Sequence, residues 1–247
     1  MYRLFYNKPL AMKRYQFLGI IILGAGLLAC SSSSVFVQRD KIEVNTATAP
    51  TDSIQEFIAP YKHQLAAEMD KKIGFATGNL VRNRPEGALG NFVIDETVHY
   101  LENNNLLGDH HYISIMNHGG LRAPISRGDI TVGDIYKLMP FDNTIVLAKL
   151  PATEMDSIVA YLKHSGGEPI GGFRIHGDHT DFPEGVELKD TLYVVTTDYL
   201  INGGDKMNFF KRRYEKENTG VFLRDALIQR VKELDTVRPL LDERLKW

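Results

Sequence analysis

Cysteine is nearly absent: Cys30 is the only one in 247 residues. An intramolecular disulfide and a cysteine-built metal site are therefore excluded. A surplus of either charge is missing too. Lys and Arg together number 29 and Asp and Glu 31, a net charge of −2. Chains that bind nucleic acid polymers usually carry a basic excess, so that class is disfavoured. No long hydrophobic run occurs. The longest, Phe17 to Ala29, has 13 residues, short of the roughly 20 needed for a lasting membrane span. There is no internal repeat, and no low-complexity segment beyond Ser31 to Ser34. What remains is ordinary globular composition, 43% hydrophobic and 24% charged. Disordered, collagen-like and polytopic membrane chains are excluded by it, and the length suits one sizeable domain or two small ones.

The lone cysteine has a position that explains it. Lys13 and Arg14 precede the short apolar run, and Leu27-Leu28-Ala29-Cys30 closes it. A basic head, a short apolar middle and small residues before a cleavage point describe a secretory signal. Leu-Leu-Ala-Cys also resembles the bacterial lipobox, whose cysteine is acylated and becomes the mature N-terminus. That resemblance implies a lipoprotein signal peptide over residues 1–30 and a membrane anchor through lipidated Cys30. The protein would then sit at the bacterial cell envelope, periplasmic or surface-facing. Met12-Lys13-Arg14 offers an alternative start to Met1. Residues 31–50 lack apolar periodicity and read as a flexible tether. The folded mass is expected over residues 51–247.

Within that mass, Ser53 and Glu56 have capping-box spacing. Ile54, Phe57, Ile58, Tyr61, Leu65 and Met69 follow at helical intervals, with Pro60 expected to bend or delay the helix. Further helices are expected over 89–101, over 131–138 with Thr131 as N-cap, over 153–162 with Gly166-Gly167 just past the end, and over 222–234. Strands are expected over 73–81, 112–116, 144–150, 172–175 and 192–197. In the strand 144–150, Ile145, Leu147 and Lys149 should face one way and Val146, Ala148 and Leu150 the other. Strands alternating with helices indicate a layered α/β or α+β domain.

Glycine and polar residues gather at three strand ends. Asn117-His118-Gly119-Gly120-Leu121-Arg122 follows the strand ending near Met116. A glycine pair lets a ligand approach the main chain, and the guanidinium of Arg122 suits phosphate or carboxylate. Pro140-Phe141-Asp142-Asn143 offers an aromatic ring beside an amide. Asp198 to Asp205, with Tyr199, Asn202 and Gly203-Gly204, follows the strand ending at Thr197. Each piece alone is ordinary: a Gly-Gly turn is usually only a turn, and a lone Phe or Tyr is usually core. Together they supply an arginine for an anion, two aromatic faces for a flat ring, and Asn and Asp for hydroxyls. That set fits a nucleotide. Two aromatics can sandwich a base without reading its edges, and a carboxylate can select a sugar by its hydroxyls.

The words Leu89-Gly90-Asn91-Phe92, Asn117 to Ile125, Gly128-Asp129-Ile130-Thr131, Leu138-Met139-Pro140-Phe141, Gly171-Gly172-Phe173 and Asn202-Gly203-Gly204-Asp205 occur in one order over about 190 residues. In these words and their order the chain resembles the C-terminal, substrate-binding domain of the 5′-nucleotidase and UDP-sugar hydrolase family. The resemblance implies an α+β fold with mixed sheets packed against helices. It also implies that Arg122 and Asn117 contact phosphate and ribose, and that Phe141 and Tyr199 are the two faces of a base sandwich, with Tyr199 standing where the family usually has Phe. Asp205 would bind ribose and Asn143 would touch the base. A further family arginine falls at a position bracketed by Arg82 and Arg84, and Arg84 is the choice made here. His118 departs from the family's glycine-rich loop.

In that family, hydrolysis belongs to a metallophosphatase domain with two divalent metals that clamp the attacking and leaving oxygens. This chain has no Asp-x-His near its start, no Gly-Asn-His-Glu and no Gly-His-x-His. Only about 20 residues separate Cys30 from the first helix. No catalytic residue, metal ligand or cofactor is therefore assigned to this chain, and the two metals are expected on a partner metallophosphatase. The cluster His176 to Asp181 is the densest rival metal site, but its Gly/Asp-rich composition is that of a turn. His110, His111 and His118 are weaker still. Two functions are open: the nucleotide-recognition part of a 5′-nucleotidase-type phosphoester hydrolase working with a separate metallophosphatase chain, or a non-catalytic nucleotide- or nucleoside-binding lipoprotein.

Overall fold

The alternation expected of residues 144–150 is the key to the architecture. In the computed structural model, which describes residues 52–247, Ile145 and Leu147 join one buried cluster and Val146, Ala148 and Leu150 join another. The strand therefore separates two cores, because successive side chains on a strand point to opposite faces. The expected signal peptide, Cys30 and the tether lie outside the described residues. The folded unit runs from Asp52 to Trp247.

The chain begins with α1 (Asp52–Met69), then β1 (Lys72–Ala76), α2 (Ala88–Asn103), β2 (Tyr112–Ile115), β3 (Gly128–Thr131), α3 (Val132–Leu138), β4 (Thr144–Pro151) and α4 (Glu154–Ser165). There follow β5 (Ile170–Gly171), β6 (Arg174–His176), β7 (His179–Asp181), β8 (Thr191–Thr197), the short α5 (Asp198–Ile201), β9 (Glu215–Phe222), α6 (Leu223–Leu234), β10 (Thr236–Val237) and β11 (Leu245–Lys246). The central sheet has the order β5-β2-β8-β4-β9, and two three-stranded sheets, β10-β1-β3 and β11-β6-β7, accompany it. On one face of the central sheet, α2, α3 and α6 contribute Leu89, Val93, Ile135, Leu138, Leu227 and Val231. On the other, α4, α5 and a 3₁₀ segment contribute Ile158, Leu162, Leu200, Phe209 and Phe210. The result is the mixed α+β layering that the sequence implied.

Local signals explain several ends. Thr131 caps α3 by a reciprocal pair: its Oγ1 accepts from Asp134 N at 3.2 Å, and its own N donates to Asp134 Oδ2 at 3.0 Å. Such caps stabilise a helix by about 0.5–2 kcal/mol. α4 stops at Gly166, whose φ of 80° is left-handed, the usual glycine stop.

Two strand bounds need correction. The strand expected over 73–81 ends at Ala76, and Leu80 keeps only an isolated bridge to Ile125. The strand expected over 172–175 is instead β6, shifted to Arg174–His176 on a small sheet, and Gly172 (φ 79°) separates it from β5 on the central sheet. α1 runs through Pro60 from Asp52 to Met69, while the Ser53 side chain lies outside what is described. The apolar stripe of α1 is not core: Ile54, Phe57, Ile58, Tyr61 and Leu65 are all exposed, Phe57 at 71%. The end of α1 meets the body where Met69 packs beside Gly133 of α3. β9 was missed, because its polar residues Glu215 to Thr219 lie on a sheet edge and carry no apolar alternation.

Strand direction places the site. β2 and β8 are parallel, and β4 is antiparallel to β8. The C-terminal ends of β2 and β8 and the start of β4 therefore lie along one edge of the sheet. The three glycine- and aromatic-bearing turns meet there, although they are far apart in sequence.

Candidate functional site

The three turns close a cleft of about 280 Å³ lined by Asn117, Gly119, Gly120, Arg122, Phe141, Asn143, Tyr199 and Asp205. Six of the seven binding residues expected from the sequence are in that wall. The two rings remain open to solvent, Phe141 at 43% and Tyr199 at 46%. Two bare aromatics rimmed by polar groups in one concave wall are the kind of surface that marks a ligand groove.

Asp205 is the polar centre. Asn117 Nδ2 donates to its Oδ2 at 2.6 Å and the Tyr199 hydroxyl to its Oδ1 at 2.9 Å. The Tyr161 hydroxyl donates to its backbone carbonyl, also at 2.9 Å. These bonds hold Asp205 in the left-handed region (φ 47°, ψ 25°), which Asp tolerates better than most residues. An ionised carboxylate offers about four acceptor sites, so two remain for ligand hydroxyls. Burial, then the nearby charges of Glu168 and Asp205, push the Tyr161 hydroxyl up to about 12. The bond to Asp205 raises the Tyr199 hydroxyl. Both therefore stay protonated donors at neutral pH. Gly204 lies directly beneath the Tyr199 ring: a Cβ there would stand 2.5 Å from Cε1. No side chain fits, so the second glycine of the pair is what lets the ring lie flat on the chain.

Arg122 forms the opposite rim. Its backbone N donates to Leu138 O at 2.8 Å, which ties the first turn to the end of α3. Its guanidinium lies 5.9 Å from the Phe141 ring centroid, within cation–π range. Nη1 makes a long contact of 3.4 Å to Gly119 O. Donors of this fork thus remain directed at the cleft.

Arg84 is not in the wall. Its Nη2 pairs with Glu168 Oε1 at 2.8 Å, and Nη1 donates to Ser165 O. The other oxygen of Glu168 accepts from His118 N at 2.6 Å. Arg84 thus sits behind the first turn and reaches it through Glu168, a buried residue the sequence reading passed over. Burial raises the Glu168 carboxyl. Burial, reinforced by Arg84 and Arg82, lowers the His118 imidazole, so His118 is neutral at pH 7. Arg82 is also engaged, through Nη1 to Leu121 O at 3.0 Å.

The donor set does not suit a two-metal centre. Asp205 is the only carboxylate of the cleft, no imidazole lines it, and both Asp205 oxygens already accept hydrogen bonds. Among the described residues no group of three or more His, Cys, Asp or Glu side chains is placed to hold a metal. His176 pairs with Asp181 at 3.4 Å in the β6–β7 hairpin, and His110 stacks on Tyr193.

Residues 72–158 match the family model described as 5′-nucleotidase, C-terminal domain. Over those residues the chain is similar to the 5′-nucleotidase C-terminal domain. Among curated relatives, the chain is 25% identical over 243 residues to the trifunctional nucleotide phosphoesterase protein YfkN of Bacillus subtilis, covering 85% of this chain and 16% of the relative. Similarity to the 5′-nucleotidase of Rattus norvegicus is 23% over 215 residues, 73% of this chain and 37% of the relative. Among solved structures, a 5′-nucleotidase precursor from Thermus thermophilus superposes with a TM-score of 0.65 at 26% identity, over 80% of this chain and 44% of that one. The NAD nucleotidase of Haemophilus influenzae shares the fold, with a TM-score of 0.57 at 16% identity over 78% of this chain and 41% of its own. The chain spans less than half the length of each of these proteins.

Position alone pointed to the cleft; two residues that frame it, Asp198 and Arg224, gave no such signal. Asp198 lies inside the third turn but carries no motif of its own. Arg224 is more than eighty positions from the turn it grips.

Substituting Asp205 by alanine should weaken a ribonucleoside about tenfold or more while leaving its 2′,3′-dideoxy analogue nearly unchanged, since a polar site penalises ligands mainly by unpaired groups. Titration calorimetry with the two ligands checks this. Equal losses would remove Asp205 from sugar recognition.

Proposed function

We propose that this chain is the nucleotide-recognition part of a 5′-nucleotidase-type phosphoester hydrolase, and that a separate metallophosphatase chain supplies the two metals and the hydrolytic step. The base would lie between Phe141 and Tyr199, with Asn143 at its edge. The ribose hydroxyls would meet Asp205 and Asn117, and the phosphate would face Arg122. The observation that carries this reading is the convergence of those six residues on one cleft. The pocket contributes orientation: it holds the phosphoester at a fixed place relative to the partner, and positioning alone can supply much of a rate enhancement. The relatives described above, a nucleotide phosphoesterase and 5′-nucleotidases, agree with that substrate class. The lipobox reading of Cys30 would hold the recognition domain at the cell envelope.

A second reading, a non-catalytic nucleotide- or nucleoside-binding lipoprotein with no hydrolytic partner, is disfavoured in its nucleoside form by Arg122. A guanidinium with donors aimed at the cleft suits an anion, which a nucleoside lacks.

The test has two arms. The purified protein should bind AMP in the micromolar-to-millimolar range yet release no phosphate from it with Mg²⁺, Mn²⁺, Zn²⁺ or Co²⁺. Pull-down from native membranes should recover a metallophosphatase chain whose AMP hydrolysis rises when the two are mixed. Turnover by the pure protein would refute the division of labour, and recovery without any partner would favour the binding lipoprotein.

A further inference from the structure

The two aromatic walls of the cleft share a single anchoring atom. Asp198 Oδ1 accepts from Thr144 N at 3.1 Å and from Tyr199 N at 2.9 Å. Thr144 immediately follows the turn that carries Phe141 and Asn143, and Tyr199 carries the other ring. One carboxylate oxygen therefore ties the roots of both walls together, through two hydrogen bonds of ordinary length.

The Phe141 wall is fixed a second time from behind. Arg224, only 9% exposed in the first turn of α6, donates from Nη2 to Asp142 Oδ1 at 2.7 Å. Its Nη1 lies 3.4 Å from Phe141 O and 3.5 Å from Met139 O. The guanidinium lies 4.2 Å from the centroid of the Tyr136 ring, and the neighbouring Leu223 N donates to Asn143 O at 2.9 Å. A buried guanidinium with several fixed donors is a rigid clamp.

The geometry points to Asp198 and Arg224 as positioning residues that set the gap between the Phe141 and Tyr199 rings, and so decide which flat groups the cleft accepts. This rests on the nucleotide reading above. A base between two rings needs contact on both faces, roughly 3.5–4.0 Å each, and a radial gap of 0.5–1 Å forfeits about a quarter to a half of the attraction. A frame that moves by that much would lose stacking while the sugar and phosphate contacts, held by other bonds, persist. Neither residue would touch the ligand.

The experiment compares AMP with ribose 5-phosphate, which lacks the base, by titration calorimetry on the full chain. Asp198→Ala should weaken AMP about five- to tenfold and leave ribose 5-phosphate unchanged. Asp198→Asn, which keeps an acceptor oxygen, should restore most of the loss. In the Asp198→Ala/Phe141→Ala double variant AMP should lose clearly less than the two single losses combined, because one of the two walls being positioned is already gone. Asp142→Asn gives an independent arm: its side chain is mostly exposed, it should fold normally, and a smaller loss confined to AMP is expected. Equal losses for both ligands, or additive losses in the double variant, would overturn the positioning role while leaving the nucleotide reading intact. If the wild-type protein itself fails to distinguish AMP from ribose 5-phosphate, the base sandwich falls and this role falls with it.

Discussion

Alanine at Phe141 or at Tyr199 should weaken AMP binding by about five- to a hundredfold, and alanine at both should bring it below detection by calorimetry. Base–aromatic stacking is worth about 1–3 kcal/mol per base, and each 1.4 kcal/mol is tenfold. The two rings line one cleft and stay half exposed, so their removal creates no large cavity in either core. Unfolding is thus a poor alternative explanation for the loss, and a thermal melt within a few degrees of wild type should accompany it. Tyr199→Phe separates stacking from hydrogen bonding. It keeps the ring on Gly204 and deletes only the donor to Asp205 Oδ1, so AMP affinity should change far less than in Tyr199→Ala. Wild-type affinity in both single alanine variants would remove the sandwich.

The second large effect is on stability. Arg244→Ala should destabilise the domain by about 3 kcal/mol, toward the low end for a broken buried ion pair, and lower Tm by roughly 6–12 °C for a domain of this size. Arg244 is 7% exposed and forms a fork with Asp95, Nη1 to Oδ1 at 2.8 Å and Nη2 to Oδ2 at 2.7 Å. Its Nε donates to Asp242 Oδ1 at 2.8 Å, and Nη1 also reaches Ile170 O at 3.0 Å. One side chain thus joins the C-terminal strand β11 to α2 and to β5. Its loss removes the fork from Asp95, which is still partly solvated, while Asp242 keeps its pair with Arg174, and both keep the cost moderate. Lysine should recover little, because a single ammonium cannot serve the two-pronged site. Differential scanning calorimetry measures the shift, and AMP affinity at 10 °C should be unchanged. A Tm shift under 2 °C would show that the fork contributes nothing net.

The cleft was legible because its chemistry is concentrated in short words at strand ends. Asn117, Arg122, Phe141, Tyr199 and Asp205 each sit close to a glycine or proline that marks a turn, and an apolar strand next to each word indicates where it must go. The alternation of β4 was legible for the same reason: period two over seven residues admits one structure. That Arg84 lies outside the cleft wall was not legible, because nothing near it in sequence reveals Glu168, eighty-four positions on. Asp198 and Arg224 act on backbone atoms 54 and 83 residues distant, and main-chain partners leave no trace in composition. α1 shows the opposite limit. Its apolar spacing is a true helical signal, but periodicity reports only that one face is apolar, not that this chain covers it.

The parallel pairing of β2 with β8 and the antiparallel pairing of β8 with β4 turn the sheet into a ruler. Neighbouring strands stand about 4.7–4.9 Å apart, so the turns that leave β2 and enter β4, on either side of β8, are graduated at roughly 10 Å. Loop substitutions can change what the cleft touches, but the coarse calibration belongs to the backbone ladder. A ligand much broader than one planar ring would have to bend the ladder itself.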